Sequence, residues 1–191
     1  MECIYKNSDI KIWKIKLNTF KNNNKKYIEE IYRLNDSQKQ STNLKAIMSS
    51  WWIWKESKEF NSLLKEISRV VINDIYPTFK NYNKNTRLEI IEAWSAIYKQ
   101  NHFAIAHNHH PNDISFVYYL KLSKDSTPLV FNDINFKIYP TENTLIVFPS
   151  NVTHSVPIHK NKEDRICLAG NFCKIIDNIS STFESYIQKN K

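Results

Sequence analysis

Apolar residues recur along this 191-residue chain with two different periods, and the change between them organises it. In the first part the spacing is helical. Tyr27, Ile28, Ile31 and Leu34 fall three and four apart, which predicts a short amphipathic helix. Phe60, Leu63, Leu64, Ile67, Val70, Val71 and Ile75 do the same over a longer run and predict a helix over residues 59–76, with Pro77 at its end. Ahead of these, Ile10, Ile12 and Ile15 alternate imperfectly around Trp13, so residues 4–17 read as an edge strand. Residues 22–26 read as a turn, and residues 35–42 as a polar break. The Trp51-Trp-Ile-Trp54 run is expected in core or lid packing, because aromatic side chains dominate core burial.

From Thr86 the period becomes two. Strands are predicted at residues 88–98 (one strand or a pair), 102–107, 114–122, 129–131, 136–139, 145–148 and 165–172, followed by a helix over 175–188. Short strands at such regular spacing, with helices contributed by the N-terminal half, point to an antiparallel sandwich or distorted jelly roll. No internal repeat and no linker rich in Gly, Pro or Ser divides the chain. It reads as one domain: residues 1–86 largely helical support, 87–174 a jelly-roll core, and 175–191 a C-terminal helix.

Charge changes this picture little. The chain carries 27 basic and 19 acidic residues, but its lysines are scattered among Asn and Tyr. That pattern reads as a solvated surface rather than a nucleic-acid face. The rival reading is a basic nucleic-acid binder whose Trp and Tyr residues stack bases. Gly170 is the only glycine, so turns that need positive φ must rely on Asn and Asp. Cys3, Cys167 and Cys173 are too few for a disulfide framework and fit a reducing, cytoplasmic setting. The chain has no signal-peptide pattern at its start, and no apolar stretch is long enough for a membrane span.

The candidate chemistry lies between Ala106 and Leu120, where three of the six histidines fall within four positions. On an extended backbone alternate side chains share a face, so His107 and His109 point the same way, about 6–7 Å apart at the backbone, and His110 points away. Two converging imidazoles suit a transition metal, and the third ligand must come from elsewhere. His154, beyond the apolar strand that ends at Phe148, is the best candidate. In place of His109, Asp113 and His110 remain alternatives. His102 and His159 read as surface or structural residues. Ser115, Val117 and Tyr119 share one strand face, with Tyr118 on the other. Arg165, one of four arginines, opens an apolar strand along which Asn171 shares its face. A guanidinium entering a β core needs an anion. The bland alternative is an ion pair with Glu163 or Asp164.

These residues together resemble a known family. His107-x-His109, then Ser115-x-Val-Tyr-Tyr-Leu120, Leu145-Ile-Val-Phe-Pro-Ser150, His154-Ser-Val-Pro157 and Arg165 at a strand start look like the iron(II)- and 2-oxoglutarate-dependent oxygenases. More narrowly, they are similar to small bacterial and phage members of that superfamily. The resemblance covers residues 92–172 and extends more weakly back to Trp51. It implies a double-stranded β-helix (a cupin-like jelly roll) flanked by helices, with Fe(II) and 2-oxoglutarate as cofactors. It also implies O2 as co-substrate and hydroxylation of an unidentified prime substrate, releasing succinate and CO2. Carried over, the metal ligands are His107, His109 and His154, with His109 where many members have Asp or Glu. Arg165 would grip the distal carboxylate of 2-oxoglutarate, with Tyr119, Asn171 and Ser115 around the same cofactor. The alternative function is a non-catalytic jelly-roll module that binds a metal or ligand.

Overall fold

The computed structural model describes residues 1–35, 43–80, 82–175 and 182–190. It contains twelve strands in two antiparallel sheets, with the helices covering one of them. Strands β1 (Glu2–Lys6) and β2 (Lys11–Lys16) form a hairpin where the alternation pattern predicts a single edge strand. Asn7 makes the difference. Its side-chain oxygen accepts from the amides of Asp9 and Ile10, and this closes a turn that local polarity alone did not reveal. The predicted turn at 22–26 is instead helical: a 3-10 segment, Asn18–Asn23, runs into α1 (Asn24–Asn35). The expected polar break falls almost wholly on 36–42, outside the described residues.

After the short strands β3 (Leu44–Lys45) and β4 (Ile47–Met48) comes the Trp-rich segment, which contains α2 (Ile53–Glu56). Here Trp54 is fully buried, Trp51 packs edge-on against Trp94, and Trp52 stays exposed. The long predicted helix exists as a continuous helical run. It begins with a 3-10 turn (Lys58–Phe60), continues as α3 (Asn61–Arg69), widens to a π-turn over Val70–Ile75, and ends in a 3-10 turn that contains Pro77.

The remaining strands are β5 (Leu88–Tyr98), β6 (Phe103–His107), β7 (Ile114–Lys121), β8 (Leu129–Phe131), β9 (Phe136–Ile138), β10 (Thr144–Pro149), β11 (His154–Val156) and β12 (Arg165–Lys174). Only β11, among these eight, lacks a predicted counterpart: its His-Ser-Val sequence holds one apolar residue, whereas the equally short β8 and β9 hold three and two. The chain closes with α4 (Phe183–Lys189), and the first part of the predicted C-terminal helix, 176–181, lies outside the described residues.

The larger sheet has the order β1-β2-β10-β7-β12-β5-β4, and the smaller β3-β6-β11-β8-β9. Each central strand of the larger sheet is apolar on both faces because each face meets a different layer. Leu63, Leu64, Ile67 and Val71 of the helical run bury against Tyr118, Leu120, Leu145 and Leu168. On the opposite face Trp94, Tyr119, Phe148 and Cys167 meet Ala104, Leu129, Phe131 and Val156 of the smaller sheet. Tyr118 thus faces the helices, as its strand parity predicts. The candidate residues His107, His109, His154 and Arg165 line the slot between the two sheets. Positive φ falls to Asn101, Asn135 and Asn143, as the scarcity of glycine requires. Among the described residues, no helix is long and apolar enough to cross a membrane.

Candidate metal centre

His107 is the last residue of β6, and His154 opens β11 directly opposite it as its cross-strand partner. This pairing brings two imidazoles together from segments 47 positions apart, with ring centroids 4.5 Å from one another. The convergence of His109 has a different origin from the expected strand parity, because β6 has already ended. His109 sits in the following turn, where its amide donates to the Ser150 carbonyl at 2.8 Å and its carbonyl accepts from the Asn112 amide at 2.9 Å. Its ring lies 5.1 Å from that of His107 and 5.0 Å from that of His154. One nitrogen from each of the three rings falls within 4.8 Å of the others. His110 is exposed, and Asp113 faces Lys174, its carboxylate 3.4 Å from that ammonium and accepting from the Lys174 amide.

The rings are set for ligation by carbonyls. Nδ1 of His107 is 2.7 Å from the Ile105 carbonyl, and Nδ1 of His154 is 3.1 Å from that of Val152. A carbonyl only accepts, so each Nδ1 carries the proton and each Nε2 presents its lone pair to the cluster. Burial, followed by the neighbouring His154 and His107 rings, pushes His109 down to about 3. Burial and then His107 push His154 down to about 4, and burial lowers His107 as well. All three are therefore neutral at physiological pH, which is the form that binds metal.

Arg165 lines the same cavity from the larger sheet. Only 1% of the residue is exposed, and its guanidinium lies 4.8 Å from the ring centre of Tyr98 and 5.1 Å from that of Tyr119. A long hydrogen bond, 3.4 Å, reaches the Tyr119 hydroxyl. Nε and Nη1 have no partner among the described residues, and the titratable groups around the side chain are Tyr119, Cys167 and Tyr98, with no carboxylate among them. The expected local alternative is absent: the Asp164 carboxylate instead accepts from the Tyr32 hydroxyl. A buried, unpaired guanidinium is costly unless an anion completes it. The cavity itself is apolar, with Trp94, Val117, Leu129, Phe148 and Val156 in its walls.

Ser115 and Asn171 do not line this cavity. They are hydrogen-bonded to each other, to Ser150 and to Glu92, beside the turn that carries His109. His159 is buried and structural, its Nε2 donating to the Glu163 carbonyl, and His102 accepts from the Lys99 amide. Sequence reasoning passed over Trp94 and Tyr98. The signal was there in the parity of β5, on which Trp94, Ala96 and Tyr98 share the inward face.

No protein-family profile matches the chain, and no curated protein is similar to it in sequence. Solved structures are similar in fold. The viral collagen prolyl hydroxylase of Paramecium bursaria Chlorella virus-1, in complex with 2-oxoglutarate, superposes with a TM-score of 0.65 at 14% identity, covering 86% of this chain and 96% of its own. A prolyl-4-hydroxylase from Pseudomonas putida gives 0.67 at 16% identity, covering 86% and 93%. HygX from Streptomyces hygroscopicus, with nickel and 2-oxoglutarate bound, gives 0.63 at 11% identity, covering 85% and 82%. The chain has the fold of the 2-oxoglutarate- and iron(II)-dependent oxygenases.

Proposed function

We propose that this protein is an Fe(II)- and 2-oxoglutarate-dependent oxygenase that hydroxylates an unactivated C–H bond, with release of succinate and CO2. The observation that carries the reading is one cavity with a metal-competent cluster of three neutral histidines and a buried arginine that has no counter-ion among the described residues. Within this reading, residues 87–174 form a double-stranded β-helix core, the helices support it, and the protein works in the cytoplasm, where its free cysteines stay reduced.

The donor set fits iron. His107, His109 and His154 would hold Fe(II) through imidazole nitrogens, leaving other positions for cosubstrates. Bound iron would supply activation of O2 coupled to oxidative decarboxylation of 2-oxoglutarate. The chain's residues do the rest. Three neutral ligands leave the charge of a divalent ion uncompensated, so a carboxylate from the cosubstrate is favoured beside it. Arg165 fixes the other carboxylate of that dicarboxylate, and the Tyr119 hydroxyl adds a further polar contact there. Tyr98 holds the guanidinium plane by stacking. The apolar walls exclude water, which would otherwise compete for these groups.

The test is oxygen-dependent formation of succinate from 2-oxoglutarate by the iron-loaded protein over a library of candidate substrates. The account expects succinate that requires iron and stimulation by at least one substrate. Binding of metal and 2-oxoglutarate without turnover on any of them would instead make it the non-catalytic binding module.

A further inference from the structure

His109 is the one candidate ligand that does not sit on a strand. His107 and His154 are held by the ladder between β6 and β11, whereas residues 108–113 form no strand pairing. Something else must fix the backbone at His109, since a metal site tolerates displacements of only about half an ångström.

A chain of polar side chains runs to that point across neighbouring strands of the larger sheet. The Glu92 carboxylate, on β5, accepts from the Asn171 amide at 2.6 Å and from the Asn112 amide at 3.2 Å through the same oxygen. The Asn171 side-chain oxygen, on β12, accepts from the Ser115 hydroxyl at 2.6 Å. The Ser115 oxygen, on β7, lies 2.8 Å from that of Ser150. Ser150 follows β10, and its carbonyl accepts the His109 amide, while its own amide donates to the carbonyl of Asp113. Asn171, Ser115 and Ser150 are all buried. The Asn112 branch closes the loop, because the backbone amide of Asn112, whose side-chain amide holds Glu92, donates to the His109 carbonyl.

We infer that Glu92, Asn171, Ser115 and Ser150 are positioning residues that hold the backbone of His109 in register with His107 and His154. This rests on His109 being a metal ligand, as proposed above. The bonds tie four strands and the turn into one unit, so the turn cannot shift without breaking a buried hydrogen bond. Groups that orient metal ligands in this indirect way commonly change metal affinity about 10–100-fold when removed. Asn171, Ser115 and Ser150 are buried and Glu92 is half-buried beside them, and none of the four lines the cavity where a cosubstrate would sit.

The experiment is a Co(II) titration of the apo-protein, read from the visible absorption of the bound ion, with apo thermal midpoints measured in parallel. Asn171→Leu removes both ends of the amide at similar volume, and Ser115→Ala is the milder variant should that one fail to fold. Both are expected to bind Co(II) about 10-fold more weakly or worse and to change the band pattern, which reports coordination geometry. Glu92→Leu should behave likewise, whereas Glu92→Gln keeps an accepting oxygen and should restore wild-type affinity and spectrum. Folded Ser115→Ala and Glu92→Leu proteins with unchanged Co(II) affinity and spectrum would overturn the positioning role, even if their thermal midpoints fell. A wild-type protein that binds no Co(II) would remove the metal site itself, a separate failure visible before any variant is made.

Discussion

At the scale of single residues, the three histidines and Arg165 were the legible part of the site, because imidazoles and a lone core arginine carry unusual chemistry. Their geometry makes two predictions. His110 is exposed and points away from the cluster, so His110→Ala should keep close to one bound iron per chain. His109→Ala should lose most of it, as measured by metal analysis after anaerobic loading. His109→Asp, which puts an oxygen-donor carboxylate in place of the imidazole, should retain metal. The second prediction concerns pH. Histidines in the unfolded chain take up protons near 6.5, but folded His109 and His154 do so only near about 3 and about 4. Between those values the unfolded state binds more protons, so the stability of the apo-protein falls as pH drops from about 6.5 toward 4. Thermal midpoints of metal-free protein at pH 7 and pH 5 check this, and His109→Gln should flatten the difference. What the residue types could not reveal was the supporting network. Ser115 and Asn171 share strand faces with Tyr119 and Arg165, but parity gives a direction and not a depth along the strand. The cavity ends before it reaches them.

At the scale of elements, the periods located nearly every strand and helix, and the differences have specific causes. The N-terminal hairpin depends on one side chain, Asn7, closing a turn. The π-turn at Val70–Ile75 keeps the apolar stripe buried through a change of helical pitch, which a three-and-four pattern does not distinguish from a plain helix. β11 was invisible because one apolar residue in three makes no pattern, although it carries His154. Gly170 shows how an element is set by a single position. Its φ is not positive, so conformational freedom is not the reason for glycine there. A Cβ on Gly170 would come within 2.6 Å of the Glu92 carbonyl oxygen and 2.7 Å of the Phe116 ring. Gly170→Ala should therefore force β12 away from β5, at a cost of about 1–3 kcal/mol in stability by denaturant unfolding. A neutral effect would mean the central strands yield more easily than their packing implies.

At the scale of the whole molecule, the larger sheet is the partition on which everything else depends. One face buries the helical run and forms the main core. The other face, together with the smaller sheet, forms a slot whose apolar lining is interrupted by three histidines, one arginine, Tyr98 and Tyr119. The helical layer and the run of strands after it were readable from the change of period; the smaller sheet was not, since its β3 and its middle strand β11 had no predicted counterpart. The prime substrate was not, because it depends on loop shapes around the slot that no periodicity encodes. The central claim is that a metal and a dicarboxylate share this slot, and one measurement addresses it most directly: calorimetric titration of 2-oxoglutarate, without oxygen, into Fe(II)-loaded protein and its Arg165→Ala variant. The account predicts one 2-oxoglutarate per chain, bound only with metal present. In Arg165→Ala, binding should weaken by about 2–5 kcal/mol while iron stoichiometry is unchanged. Equal 2-oxoglutarate affinity in the two proteins, or binding indifferent to metal, would contradict it.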